Sequence, residues 1–370
     1  MRVVVVGAGI AGTSVAYHAS RLGADTVLVD RDTPGQATAA GAGIVCPWSS
    51  KVADPTWQRL ADAAAEYYPD LVADLASDGQ TDTGYRRVGA LRLTTGDTDH
   101  QDILRRCAGS PGAGEVSLLS GDSARELFPP LSGGLPAVHI AGGARVDGRR
   151  MRDALRGAAV RHGATVRSGA ATLVSSGSRV TGVDVDGERV DADTVVVAAG
   201  AWSPTLLDPI GVRVAVAPQR GQIVHLGLSG VDTSRWPVVL PPSSHYLLAF
   251  DDQRVVVGAT RETGAGFDHR VTAAGLAEVL GEALSVAPGL AGATVLETRI
   301  GFRPAGPDIL PLLGAVTGWD GLVVANGLGA SGLTLGPHVG RLAAAVALHE
   351  EPGVDLSPYD PLRPAARTAD

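Results

Sequence analysis

Gly7, Gly9 and Gly12 stand in the spacing Gly-x-Gly-x-x-Gly, directly after an apolar run at residues 2–6 and at the opening of a helix-periodic stretch. That placement suits a diphosphate. The first glycine permits the tight turn, the second lets a phosphate approach the backbone, and the third lets helix and strand pack closely. Ile10 and Ala11 belong to the same turn. Asp30 ends the next β-branched run, where a carboxylate accepts hydrogen bonds from ribose hydroxyls and repels a 2′-phosphate. Dinucleotide binding is expected, with FAD or NAD favoured over NADP; the bland alternative is an apolar strand and helix with accidental glycines. Far along the chain, "GFRPAGPDILPLLG" at residues 301–314 sets Arg303 and Asp308 among glycines, prolines and apolar side chains. A guanidinium in a buried or tightly turned segment needs a carboxylate, either from the protein, such as Asp308, or from a ligand.

The elements that must hold these residues follow from periodicity. Residues 2–6 read as a buried strand, 10–22 as a helix capped by Gly23, and 26–30 as a second strand. A helix over 149–162, strands near 164–166 and before Ala199-Gly200, a strand at 322–326 and a helix at 336–349 have the character of the same nucleotide-binding sheet. Between them, residues 84–95 and 212–262 carry shorter, mixed strands ("ALRLTT", "GQIVHL", "HYLLAF", "RVVVGAT") that fit a partly exposed antiparallel sheet, and 272–287 reads as a helix. The small-residue loop "RDTPGQATAAGAGIVCPWSS" carries Ile44, Val45 and Trp48, which suit a cofactor rim better than a surface connection. The polar stretch after Glu350 is expected to be a surface extension.

Composition narrows the function. At 370 residues the chain exceeds the ~250–300 at which single cores divide, so two domains are expected. An apolar fraction of 45% with 19% charged residues suits a folded protein, and a formal charge of -8 gives no long-range attraction to nucleic acid. Cys46 and Cys107 match neither a disulfide framework nor a zinc cluster, which favours a reducing, cytoplasmic setting. The N-terminal apolar run passes straight into the glycines without a cleavage site, and no stretch approaches the roughly 20 residues of a membrane span.

The ordered series "VVVVGAGIAG", Asp30, "GQATAAGAG", "DTVVVAAGAWS", "PQRGQIV", the pair "HYLLAF" and "RVVVGATRE", "GFRPAGPDILPLLG" and "GLGASGLTLGP" covers almost the whole chain. It resembles the D-amino-acid oxidase superfamily of flavoproteins, especially the glycine oxidase, sarcosine oxidase and D-amino-acid dehydrogenase-like branches. The resemblance implies an α/β and α+β fold: a split Rossmann-like FAD-binding domain (1–83, 144–211 and 296–352), a mainly antiparallel substrate-binding domain (84–143 and 212–295), and a polar tail at 353–370. It implies that Gly7, Gly9, Gly12, Asp30 and Arg31 surround the adenosine and phosphate end. Thr38, Ala39 and Ala40 would follow the flavin loop, with Gly43 and Ile44 nearer the ring. Val166, or backbone near Leu173, would meet the adenine side, and Ala199, Gly200 and Trp202 would form a later cofactor segment. Gly301, Arg303 and Pro304 would lie on the active-site side, as would Gly329, Ser331, Gly332, Leu333 and Thr334.

In this family the arginine of Gly-x-Arg-Pro binds the substrate carboxylate, and Arg303 occupies that place; a bridge to Asp308 is the alternative. Tyr246 matches a position from which a phenol reaches substrate, and equally suits an interior strand tyrosine. His245 alternates to the other strand face, and His225 has no evident partner. The implied activity is oxidation of the amine of a small amino acid (a D-amino acid, glycine, or an N-methyl or cyclic amino acid) to an imino acid, with hydride transfer to non-covalently bound FAD and oxygen as acceptor. The alternatives are a dehydrogenase with another electron acceptor and a non-catalytic flavin-binding or electron-transfer subunit. One departure stands out: Gly329 and Ala330 are small where glycine oxidase relatives often have a bulky aromatic and basic pair, so Arg303 lacks the second arginine of some relatives.

Overall fold

The computed structural model describes residues 1–364. Its first sheet has six strands in the order Leu312–Ala315, Leu322–Asn326, Thr194–Val197, Arg2–Val6, Asp25–Asp30 and Thr165–Ser168. All neighbours are parallel except Leu312–Ala315, which runs against Leu322–Asn326. β-Branched runs form these strands because both faces are covered. Val3, Val5, Leu28 and Val196 pack under the helices Ile10–Arg21, Pro55–Ser77, Gly148–Arg161 and Gly332–Ala347. Val4, Val6, Val27, Val29, Val195 and Val197 face a three-stranded antiparallel layer built from Ala171–Ser176, Arg179–Val185 and Glu188–Asp191. The architecture is therefore Rossmann-like in this half.

The second sheet has nine strands and is mainly antiparallel. Thr294–Ala305 pairs along the whole length of Ala217–Gly227, followed across the sheet by Arg254–Gly258, Tyr246–Ala249, Val238–Leu240 and Ala90–Leu93. Period-two alternation divides its faces. Leu91, Leu93, Val224, Val239, Leu247, Val255 and Val257 form a core with the helix Ala273–Val286. Arg92, Leu240, Tyr246 and Ile223 point the other way, towards the first sheet.

Three local expectations change. Residues 301–305 do not bend but end the long strand Thr294–Ala305, and the chain turns only beyond it. The C-terminal helix begins at Gly332 rather than 336, because Pro337 lies inside it; its N-terminus thereby points at the site. The 23-residue helix Pro55–Ser77, with Pro69 inside it, was not among the expected elements.

The stretch after Glu350, expected as a surface extension, is tied down as far as Arg363; residues 365–370 of that expected tail lie outside the described residues. Tyr359 is buried. Arg363 holds Asp308 in a two-pronged pair, Nε to Oδ2 at 3.0 Å and Nη2 to Oδ1 at 2.7 Å. Asp308 also accepts from the Leu310 amide, so it organises its loop and is not the partner of Arg303. Arg363→Ala should cost about 2 kcal/mol, as expected for a charge-assisted pair this shielded, read as a shifted denaturation midpoint with faster proteolysis of the tail. The Arg363 hydrogen bond holds the Asp308 carboxyl below its ordinary value. That contribution is complete above the unfolded value of ~4 and is lost as pH falls through the depressed folded value.

Candidate active site

A cavity of about 840 Å³ opens between the carboxyl ends of Arg2–Val6 and Asp25–Asp30 and the inner face of the antiparallel sheet. Ligands of open α/β sheets sit at such strand ends. Five cationic side chains, Arg31, Lys51, Arg92, Arg261 and Arg303, line it; among the described residues its only carboxylate is Asp30 and its only histidine His245. A chain of net charge -8 has thus gathered positive charge in one place. Such a wall selects an anion.

Gly7, Gly9, Ile10, Ala11, Asp30 and Arg31 line the end nearest the first helix. Asp30 accepts from the Asp32 amide at 2.6 Å and Gln36 Nε2 at 3.0 Å, and also from the Ala8 amide, which fixes the glycine turn. Arg31 lies over the Trp202 ring, 5.7 Å from its centroid. Thr38, Ala40, Gly43 and Ile44 form the next wall; Thr38 Oγ1 accepts from the Ile10 amide at 2.9 Å. Ala199, Gly200 and Trp202 lie opposite, and Gly329, Ser331, Gly332, Leu333 and Thr334 bring the start of the Gly332–Ala347 helix to the cavity.

Four expected positions fall outside the lining. Gly12 sits beneath the turn, where a Cβ would collide with the Gly7 carbonyl, so its part is packing. Ala39 faces away and gives its carbonyl to Arg149 Nε at 3.0 Å and Arg299 Nη1 at 3.3 Å. Val166 is half-exposed on the edge strand and Leu173 packs beneath the three-stranded layer; the chain reaches the cavity between them, over residues 169–172.

Gly301, Arg303, Pro304 and Tyr246 meet at the other end. Arg303 Nη1 donates to the Thr260 carbonyl at 3.0 Å, and the guanidinium lies flat on Gly221: a Cβ there would stand 2.6–2.7 Å from Nη2, Cζ and Nη1. Glycine inside a strand commonly marks such a close approach, which is the signal "PQRGQIV" offered. Arg303 forms no ion pair with any described carboxylate, although burial works against its charge; Tyr246 opposes that loss and Arg261 adds to it. Burial raises the Tyr246 phenol, so at neutral pH it keeps its proton and can donate. His245 lines the cavity after all, since it precedes the strand and escapes its alternation; Glu278 and Glu282 lie 3.4 and 3.7 Å from its ring nitrogens. His225 is a buried neighbour of Arg254 (3.1 Å) outside the lining, its pKa pushed down to about 3 by burial and by Arg299 and Arg254.

Residues 2–346 match the family described as FAD dependent oxidoreductase. The chain belongs to this FAD-dependent, D-amino-acid-oxidase-like superfamily. It is 50% identical to the iminodiacetate oxidase of Chelativorans sp. BNC1, whose crystal structure superposes with a TM-score of 0.95 over 97% of this chain and 99% of that one. It is 48% identical to the uncharacterized oxidoreductase YurR of Bacillus subtilis (97% of this chain, 98% of the relative) and 31% identical to a glycine oxidase of Pseudomonas aeruginosa (97% and 98%).

An FAD dependent oxidoreductase must seat a diphosphate, and the glycines test whether this chain does. Gly7 has a positive φ of 107°, and a Cβ there would stand 2.5 Å from the Ala198 carbonyl oxygen. Like Gly12, it is required by the protein's own backbone. Gly9 is not: a Cβ there would meet only Thr38 Oγ1, at 3.3 Å. Its bare face lines the cavity at the start of a helix with neither a capping side chain nor an acidic residue in its first turn. A phosphate against those amides fits both facts.

Proposed function

We propose that the protein oxidises a small α-amino acid, with a primary or N-substituted amine, using non-covalently held FAD. The observation that carries this reading is Arg303: a half-buried guanidinium facing a flavin-sized cavity, beside a protonated phenol and without an ion pair to any described carboxylate. Its planar fork matches a carboxylate, and Tyr246 adds a donor from the side. Gly221 beneath the guanidinium sets its height, so the carbon next to the amine is presented in one orientation. Bound FAD would supply the two-electron acceptor for the hydride that this carbon gives up. The resulting imino acid hydrolyses in water to an oxo acid and the free amine.

No carboxylate of the described lining stands beside Arg303 to act as a base: Asp30 ends a strand at the other end of the cavity, and Glu262 lies outside the lining, bound to Arg220, Gln222 and Thr260. We therefore take the substrate amine to enter unprotonated. The N-terminus of the Gly332–Ala347 helix, without an acidic residue in its first turn, supplies positive potential for the negative charge that oxidation delivers. Cys46 lines the cavity, but burial pushes its thiol up to about 12, with Ser49 opposing, so it stays protonated and is a poor nucleophile for covalent attachment.

Glycine and iminodiacetate, the compounds in the names of two relatives, share an amine next to a carboxylate, the part Arg303 would hold. Those names also support oxygen as acceptor. The test is aerobic turnover of glycine, sarcosine, iminodiacetate, D-alanine and proline, following hydrogen peroxide and the oxo acid together. Equal amounts of both are expected for at least one compound; no oxo acid from any of them would overturn the reading, and oxo acid formed only with an artificial electron acceptor would overturn the oxygen assignment. Gly221→Ala should lower kcat/KM about 10²-fold by lifting the guanidinium, with cofactor content unchanged.

A further inference from the structure

Arg92 is a charged residue in a buried four-residue strand, Ala90–Leu93, and it is only 8% exposed. It lines the cavity, yet it makes no hydrogen bond or ion pair with any described residue. Its surroundings do not favour a charge: burial and Arg106 both work against it, and Asp99, a carboxylate that favours it, is exposed and forms no ion pair with it. A guanidinium left this way inside a protein implies an anion that the protein does not supply.

Register fixes where that anion would sit. Leu240 pairs with Arg92, and the pairing of Val239 with Leu247 sets Tyr246 beside Leu240 on the next strand. Tyr246 pairs with Gly258, and Gly258 with Ile223, two residues along from Gly221 under the Arg303 guanidinium. Arg92, Leu240, Tyr246 and Ile223 thus form one row on one sheet face, with arginines towards its two ends and Tyr246 between them. Two strand spacings, about 10 Å, separate the backbones of Arg92 and Tyr246, a gap within reach of an arginine side chain and a short substrate. Lys51, at the same end, is already donating to the Pro242 carbonyl at 2.9 Å, and Arg261 is exposed at the rim, so neither duplicates the buried position of Arg92.

We propose that Arg92 receives a second anionic group of the substrate, so that the preferred substrate class is an amine with a carboxylate on each side. This rests on the reading of Arg303 as the first carboxylate site. The small Gly329 and Ala330 are consistent with it, because the second cation comes from the opposite wall and not from their segment.

The test compares iminodiacetate with sarcosine, which lacks the second carboxylate, in wild type, Arg92→Met and Arg92→Lys. The ratio of kcat/KM for iminodiacetate to that for sarcosine should exceed one in the wild type, fall at least 30-fold in Arg92→Met and recover in part in Arg92→Lys. An equal fall for both substrates would mean a structural role and overturn the proposal, as would an unchanged ratio. A second readout needs no turnover: diglycolate, an ether dicarboxylate that cannot be oxidised as an amine, should raise Tm more than methoxyacetate does in the wild type. That advantage should vanish in Arg92→Met. If neither amine is oxidised but diglycolate keeps its advantage in an Arg92-dependent way, the oxidation reading fails and the second anion site stands. If amines are oxidised without any such advantage, the reverse holds.

Discussion

Arg303→Met should reduce amino-acid-dependent loss of the flavin band by roughly 10²- to 10³-fold in kcat/KM while leaving flavin occupancy intact. Truncating one partner of a buried, hydrogen-bonded charge pair costs about 2–5 kcal/mol, much of it because the other charge is left unpaired. In the proposed function that other charge belongs to the substrate, so the loss is expected to fall on the reaction and not on the fold. Without the arginine, the Thr260 carbonyl loses one donor and Tyr246 remains as a single hydrogen-bond donor to a carboxylate. Arg303→Lys should recover only part of the activity, since a point charge cannot reproduce the fork that lies on Gly221. Rapid mixing without oxygen reads the chemical step directly; an unchanged rate in Arg303→Met would remove Arg303 from the site.

Gly9→Val should weaken FAD binding by roughly 10²-fold or more, about 3 kcal/mol, with the apoprotein still folded. The contrast with its two companions carries the argument. A Cβ at Gly9 asks only that the Thr38 hydroxyl give by a few tenths of an ångström, so a side chain there chiefly obstructs what enters from the cavity. Gly12→Ala drives a Cβ into the Gly7 carbonyl and should instead destabilise the fold itself, by about 1–3 kcal/mol. Flavin content of the purified protein and the urea midpoint of the apoprotein separate the two. A Gly9→Val protein that retains flavin normally would contradict the placement of the diphosphate.

Much of this was legible because it is local. The turn from Arg2–Val6 through the glycines to Asp30 is written within thirty residues, as a change from strand to helix period and back, and the structure differs there only at element ends. Arg303 was visible as a charge in an apolar setting, but its partnership was not. Whether Asp308 pairs with Arg303 or with Arg363, 55 residues later, is decided by where the C-terminal stretch returns to the body, and periodicity is silent on that. The electropositive wall was hidden for the same reason. Lys51, Arg92 and Arg261 come from separate loops and strands, and only the register of Ala90–Leu93 beside Val238–Leu240 turns Arg92 towards the cavity. Net charge pointed the other way. Val166 and Leu173 illustrate the limit of motif transfer: the segment containing them does approach the cavity, but through residues 169–172 between them.

The carboxylate is the group that the proposed site recognises. Anaerobic spectral titration of the purified yellow protein with paired compounds tests this: glycine against methylamine, sarcosine against dimethylamine, and iminodiacetate against N-methylglycine amide. Loss of the oxidised flavin band with a carboxylate-bearing member of a pair, and no loss with its carboxylate-free counterpart, is the predicted result. Equal bleaching by both members of every pair, or bleaching by none of them, would contradict it.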